Sequence, residues 1–499
     1  MFDHLLNGFA VALQPMNLAI ALLGSVIGTV IGVLPGLGPT ATIAMLLPLV
    51  FTMSPVAAMI MLTSIYYGAM YGGSTTSILI NVPGEAASVV TCLDGYQMAR
   101  KGRAGAALSI SALGSFFAGT VGTLIIVMFA EPLTRMAQKF GPADYCSLMA
   151  LGLVAAVVLA SGSVLKAIAM VFLGLLFGLV GTDVNTGAQR FTFDVPELSD
   201  GIDFAPIAMG LFGIAEIVIN LERKMTRSGA IKVTSLWPTR EEIRRAIPAA
   251  IRGTALGAIL GVLPGGGPTL GAFSSYTLEK KISRTPQEFG KGAVEGVAAP
   301  ESANNAAAQT SFIPMLTLGI PSNAVMALMV GAMIIQGIQP GPEVMTKKPD
   351  LFWGMIASMW IGNLMLVIIN LPMIGMWVKL LTVPYRFLAP AILLFCAIGA
   401  YSLQNSTFHV EQVAMFGVLG YIFVRLGCEG APFLLGLVLG PQMEEYFRRA
   451  MLLSRGDPMV FIQRPISLGL LITTAILLVL MALPSIKRAR EEAFQEEEG

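Results

Sequence analysis

The sequence predicts an all-α polytopic membrane protein of about 12 transmembrane helices, built as two repeat-related halves with broken or re-entrant helices. Three observations lead there. Of the 499 residues, 55% are hydrophobic and only 12% are charged, about half the charge of an ordinary soluble domain. Apolar runs near the roughly 20 residues that a bilayer span requires recur along the whole chain. One Gly- and Pro-broken phrase is also written twice, as GTVIGVLPGLGPT at Gly28–Thr40 and GAILGVLPGGGPT at Gly257–Thr269, with nine of thirteen positions identical.

In chain order, the opening MFDHLLNGFAVALQ lacks the basic region of a cleavable leader and is expected to be mature protein. Leu18–Leu34, Ala104–Ala130, Val164–Val180, Phe352–Val378 and Pro465–Leu483 read as spans. Between them, Glu222–Arg252 carries eight basic residues: Arg223, Lys224, Arg227, Lys232, Arg240, Arg244, Arg245 and Arg252. The positive-inside rule places this stretch in the cytoplasm, and likewise Lys487–Arg490 behind the last span. The chain thus divides into an N-terminal membrane repeat (1–221), a cytoplasmic basic linker (222–252), a C-terminal membrane repeat with additional spans (253–484) and a cytoplasmic tail (485–499). Asp94 with Arg100–Arg103 reads as a further cytoplasmic loop, and Glu216 as an interfacial or packing acid. Short segments leave the span count ambiguous, so the halves are either inverted or parallel.

Several classes are excluded. A net charge of +1 predicts no nucleic-acid partner. Cys92, Cys146, Cys396 and Cys428 form no CxxC, and His4 and His409 are far apart, so neither a disulfide framework nor a metal centre is expected. No GxxxxGK[ST], HExxH or GxSxG occurs. No enzyme and no cofactor is expected, and uphill transport would draw on an ion gradient.

Pro35-Gly-Leu-Gly-Pro39 stops one helix and starts another. Proline lacks a backbone donor, and glycine tolerates unusual backbone angles. Gly38 suits an N-cap, Pro39 the first helical position, and Thr40 and Thr42 place hydroxyls nearby. Backbone groups freed in lipid must line a cavity or be buried in protein. A helix N-terminus there carries about half a positive charge and free N–H groups, which suits an anion. Glycines at Gly24, Gly28 and Gly32 also serve plain helix packing. Two broken segments at matching places in two halves point instead to the substrate site of a transporter built from repeats. Expected substrate contacts are Gly36, Gly38, Thr40, Thr42, Ser74, Thr75, Thr76 and Gly84, with Gly265, Gly267, Thr269, Ser302, Asn304, Ser322 and Asn323 from the second half. Asn81, Glu85, Glu301, Asn305 and Thr310 are expected to hold a coupling cation, Na⁺ or H⁺, because intramembrane acids are costly and oxygen ligands suit hard cations. The same hydroxyls and amides also serve to bond neighbouring helices. Glu295 is a third candidate acid.

Four blocks carry a resemblance: GTVIGVLPGLGPT; NVPGEAASVVTCLDGYQMARKGRAGAAL (Asn81–Leu108); GVLPGGGPTLGAFSSYTLEKK; and EGVAAPESANNAAAQTSFIPMLTLGIPSNAVMALMVGA (Glu295–Ala332). Together they resemble the large membrane subunit of the tripartite tricarboxylate transporter family. The likeness follows the chain in order and length and is less distinctive after Phe352. It implies a secondary transporter of citrate-like di- and tricarboxylates in the bacterial inner membrane, driven by cation symport. It also implies two partners, a periplasmic solute-binding protein and a small membrane subunit of about four spans. The competing reading is a passive organic-anion channel, which would equilibrate but never accumulate its substrate.

Overall fold

In the computed structural model the described residues are 2–34, 38–159, 163–183, 186–222, 231, 233, 235–263, 267–380 and 385–482. The chain is helical almost throughout. α1 (Phe2–Ala12), α2 (Pro15–Val33), α3 (Pro39–Phe51), α4 (Pro55–Ile80) and α5 (Val89–Met98) precede the long α6 (Ala104–Ala137), then α7 (Pro142–Leu159) and α8 (Val164–Phe177). A short antiparallel pair, β1 (Gly181–Thr182) and β2 (Gln189–Arg190), leads to α9 (Phe204–Ala208) and α10 (Ala215–Glu222). Next come α11 (Arg240–Val262), α12 (Gly267–Ile282), α13 (Glu295–Thr310), α14 (Phe312–Leu318) and α15 (Ala324–Ile335). The remainder is α16 (Pro342–Lys347), α17 (Pro349–Asn370), α18 (Ile374–Leu380), α19 (Tyr385–Gln404), α20 (Thr407–Arg425), α21 (Gly430–Leu453), α22 (Val460–Gln463) and α23 (Pro465–Ala482).

Among the described residues, 6 helical stretches are long and apolar enough to cross a bilayer, and shorter apolar helices accompany them. The chain is a multi-pass membrane protein. α4 and α13 are different in kind. They carry Ser74, Thr75, Thr76 and Ser77, and Glu301, Asn304, Asn305 and Gln309, yet almost every residue of both is buried. Two helices rich in hydroxyl and amide side chains are therefore buried inside the bundle.

Glycine sets how closely a neighbouring helix approaches each of them. An added Cβ at Gly24, Gly28 or Gly32 of α2 would lie 2.7, 2.3 and 2.3 Å from the carbonyl oxygens of Met61, Ile65 and Ala69 on α4. Gly253, Gly257 and Gly261 of α11 meet the carbonyls of Ala299, Ala303 and Ala307 on α13 in the same way, at 2.3, 2.1 and 2.3 Å. Both pairs run parallel in backbone-to-backbone contact, and small residues are what permits this in a membrane, where helices gain little from hydrophobic burial against one another.

One end of the bundle is tied to the basic linker. Arg245 grips Glu295 through two 2.8 Å bonds and reaches Glu288 at 2.6 Å. Arg252 holds Glu279 at 2.6 and 2.7 Å. Arg103 pairs with Glu242, and the Ile231 N–H donates to Leu79 O at 3.2 Å. The end of α4 and the starts of α6, α11 and α13 therefore share this linker face, and so does the end of α12. α11 starts inside the basic stretch, at Arg240. Since α12 ends beside Arg252, α11 and α12 form a hairpin that enters and returns to the linker face. α2 runs parallel to α4, and only 52–54 separate the end of α3 from the start of α4. α2 and α3 are thus a second hairpin, entering from the opposite face. There Gln336, after α15, donates to Val50 O and Met53 O at 2.7 and 3.2 Å. α4 and α13 cross antiparallel at the centre, since Ser74 meets Glu301 while Tyr67 meets Gln309.

Gly28→Ala and Gly257→Ala are each expected to destabilise the detergent-purified protein by about 1–3 kcal/mol, because an inserted methyl drives two backbones apart. Gly469→Ala, whose Cβ meets nothing within 4 Å, is the neutral control in the same thermal unfolding assay.

Candidate functional site

The repeated phrase does break both helices. α2 ends at Val33 and α11 at Val262, the next residues Leu34 and Leu263 are in extended backbone, and α3 and α12 start at Pro39 and Gly267. Gly36 and Gly265 lie outside the described residues. Gly267 takes φ +48°, in the left-handed region that disfavours side chains. A second pair of breaks follows. Asn81 after α4 and Gly319 after α14 both adopt left-handed backbone, at φ 58° and 76°. Four residues later, Glu85 (φ −151°, ψ 167°) and Asn323 (φ −154°, ψ 176°) are extended N-caps with nearly identical angles.

At the crossing lies Glu301, fully buried. Its carboxylate accepts hydrogen bonds from Ser74 on α4, Thr91 on α5 and Ser111 on α6, the last at 3.1 Å. Among the described residues no Lys, Arg or His is paired with it. One turn on, Asn304 donates to Glu85 at 3.1 Å, which joins the second break to α13. Asn305 reaches Ser115 Oγ at 2.8 Å. Asn323 caps α15 by accepting from Met326 N at 2.9 Å, and it flanks Gly267 at the start of α12. Glu301, Ser74, Asn304, Glu85 and Asn305 thus form one connected polar cluster, and Gly267 with Asn323 another.

The other expected contacts fall as follows. Gly38 stands apart, donating its N–H to Glu216 Oε1 at 3.3 Å. Thr42 bonds back to Gly38 O at 3.0 Å, and Thr40 and Thr269 are half-buried in the first turns of α3 and α12. Thr75, Thr76 and Thr310 bond to carbonyls of their own helices. Gly84 fits against Gly32 O, where a Cβ would sit 2.2 Å away. Ser302 Oγ, Asn304 Oδ1 and Ser322 Oγ are buried with no protein partner, and such atoms in a native interior call for an explanation. Asn81 is exposed, ending α4.

The structure departs from the sequence reading at one acid. Asp94 is no loop residue but is wholly buried. It accepts from Gly292 N (2.6 Å), Ala293 N (2.7 Å) and the Tyr276 hydroxyl (2.9 Å), anchoring the approach to α13 and the flank of α12. Glu216 takes the packing role of the two expected for it, set against the start of α3. Thr91 and Ser111 were missed by the sequence reading. The available signal was spacing, since Ser111 and Ser115 lie four apart on α6 and meet Glu301 and Asn305, four apart on α13.

A model described as the tripartite tricarboxylate transporter TctA family matches residues 18–435. The chain belongs to this family. An uncharacterized 52.8 kDa protein of Agrobacterium vitis, from the TAR-I ttuC′ 3′ region, is 58% identical over 499 residues, all of this chain and 99% of its own length. A second A. vitis protein, from the TAR-II ttuC′ 3′ region, is 60% identical over 242 residues, 48% of this chain and all of its own. No solved structure matches the chain. The matched TctA region contains both breaks, Glu85 and Glu301, and extends past Phe352 through α17.

Thr91→Val keeps the shape but removes one donor from the Glu301 carboxylate. It is expected to cost about 1–3 kcal/mol in thermal unfolding. In a Glu301→Gln background the same change is expected to cost less, and the double-mutant cycle reads the difference.

Proposed function

We propose that the chain is the permease subunit of a tripartite carrier. It moves citrate-like di- or tricarboxylates across the bacterial inner membrane by symport with Na⁺ or H⁺. A periplasmic binding protein feeds it and a small membrane subunit of about four spans accompanies it. Membership of the TctA family supports the transporter role and the existence of partner subunits. The basic linker face is the cytoplasmic one by the positive-inside rule, and the C-terminus lies on that side.

The observation that carries the mechanism is Glu301. A carboxylate at bilayer depth, satisfied by hydroxyls and lacking a protein cation, is stable only with a proton or a bound cation beside it. That is what a coupling site requires. We also infer that the halves are inverted repeats. A step of 238 residues carries Met61, Ile65 and Ala69, the carbonyls under the first glycine series, onto Ala299, Ala303 and Ala307. The same step carries Asn81 and Glu85 onto Gly319 and Asn323, with matching backbone angles. Hairpins entering from opposite faces, with α4 and α13 antiparallel, support the inverted arrangement used for alternating access. Within it, the starts of α3 and α12 are the anion-friendly ends. Glu216 lies against the first, so a substrate carboxylate arriving there displaces an acid of the chain itself.

Proteoliposomes holding this chain and its partner subunits, with the binding protein supplied and Na⁺ and H⁺ gradients imposed separately, test the reading. Accumulation above the external concentration under one gradient is expected, and Glu301→Gln is expected to abolish it. Equilibration without accumulation would mean a passive channel, and indifference to both gradients would end the symport reading. Gly38→Val and Gly267→Val are each expected to block uptake at near-normal expression. Gly267→Val is expected to be the more severe, since its backbone lies in the left-handed region.

A further inference from the structure

Beside Glu301 lies a cavity of about 10 Å³, the room needed for one water-sized sphere. Its walls include Ser74, Thr75, Ser111 and Asn370, closed by Leu371 and Ile374. Two of these, Ser74 and Ser111, donate their hydroxyl protons to the Glu301 carboxylate. A hydroxyl has one proton and two lone pairs, so each oxygen keeps its electron pairs turned away from the acid. Asn370 comes from α17, outside the repeated elements. Its amide nitrogen is used, donating to Leu366 O at 2.9 Å and toward Thr29 Oγ1 at 3.4 Å. Its amide oxygen is buried without a partner, and the residue is only 4% exposed. Nothing basic lines the space.

We propose that this cavity is a binding site for a single dehydrated Na⁺, liganded by Asn370 Oδ1 and the hydroxyl oxygens of Ser74, Ser111 and Thr75, with Glu301 as counter-charge. Oxygen-only ligands at this scale suit a hard cation. The charge balance selects a cation over a neutral water, because the carboxylate one hydrogen bond behind the ligands is otherwise uncompensated in the membrane interior. The assignment rests on the coupling role of Glu301 and makes it specific: the cation lies beside the acid, on the α17 side, and a proton on the acid is the alternative it excludes.

Direct binding tests it without transport. The full chain, purified in detergent, is melted in NaCl, KCl and choline chloride at equal ionic strength. A rise in unfolding midpoint that saturates with Na⁺ and is absent in K⁺ and choline is expected, because a ligand of the folded state stabilises by mass action. Asn370→Ala and Ser111→Ala are each expected to raise the half-saturating Na⁺ concentration about tenfold or more. Ser358→Ala, buried on the same α17 but bonded only to Met355 O, leaves it unchanged. Equal midpoints in all three salts would mean that the cavity holds water only and would overturn the site, as would a Na⁺ response intact in both Asn370→Ala and Ser111→Ala. Carboxylate accumulation driven by H⁺ alone, with no Na⁺ response, would sink the cavity site and leave the transporter reading standing. Absence of accumulation under either gradient would sink the transporter reading itself.

Discussion

A single buried carboxylate held by hydroxyl groups organises this molecule. Glu301 on α13 draws its donors from α4, α5 and α6, so four helices converge on one acid. An ion removed from water carries a penalty of several kcal/mol, which hydroxyl dipoles offset only in part. None of the four helices can part from the others without stripping the acid of a partner. This fastens the two halves at their centre. α5 repeats the device one turn away, where Asp94 takes the backbone N–H groups ahead of α13 and the hydroxyl of Tyr276 on α12. One short helix thus aligns the acid-bearing helix at two points.

Reaching that centre is a problem of thickness. A hairpin inserted beside α4 or α13 brings a second backbone into a space with no water to absorb misfit. The glycine series solve it twice over, at the same spacing and nearly the same distances, by leaving nothing between one helix and the carbonyls of the next. The GxxxG pattern and the broken phrase are therefore not rival explanations. The glycines let each hairpin lie flush against its polar helix, and the Gly-Pro interruption lets it turn back.

How much of this was legible followed from what a linear pattern encodes. The breaks could be read because proline and glycine act locally, and α2–α3 and α11–α12 separate within a few residues of the repeated phrase. The cluster around Glu85, Glu301 and Asn304 could be read because acids and amides stand out against an apolar chain. Which helices turn back could not, since Arg252 shows it only by gripping Glu279 at the far end of α12. Asp94 was misread because it precedes a run of arginines, and charge in sequence does not tell a solvated loop from a buried anchor. Asn370 and Asn363 were invisible for the opposite reason. Each is a lone amide in an ordinary apolar span, and only tertiary packing sets Asn363 against the hydroxyl of Tyr71.

On the inverted-repeat reading proposed above, the halves match in backbone and differ in charge, and this difference would bear on a transport cycle. The step that carries Glu85 onto Asn323 also carries Thr63 onto Glu301 and Tyr66 onto Asn304. Glu85 bonds Asn304, and in the mirrored place Tyr66 faces Asn323, so the contacts are exchanged across the axis while the chemistry is not. The counterpart of the buried acid is a threonine whose hydroxyl is buried without a partner. Inverted halves of identical chemistry would give inward- and outward-facing forms of equal energy. Here both acids fall in the cluster around Asn304, and on the proposed coupling role a cation bound there would alter the balance between the two forms through its differential affinity for them. On that reading duplication would supply the two-fold scaffold, and the placement of Glu301 and Glu85 would give it a direction.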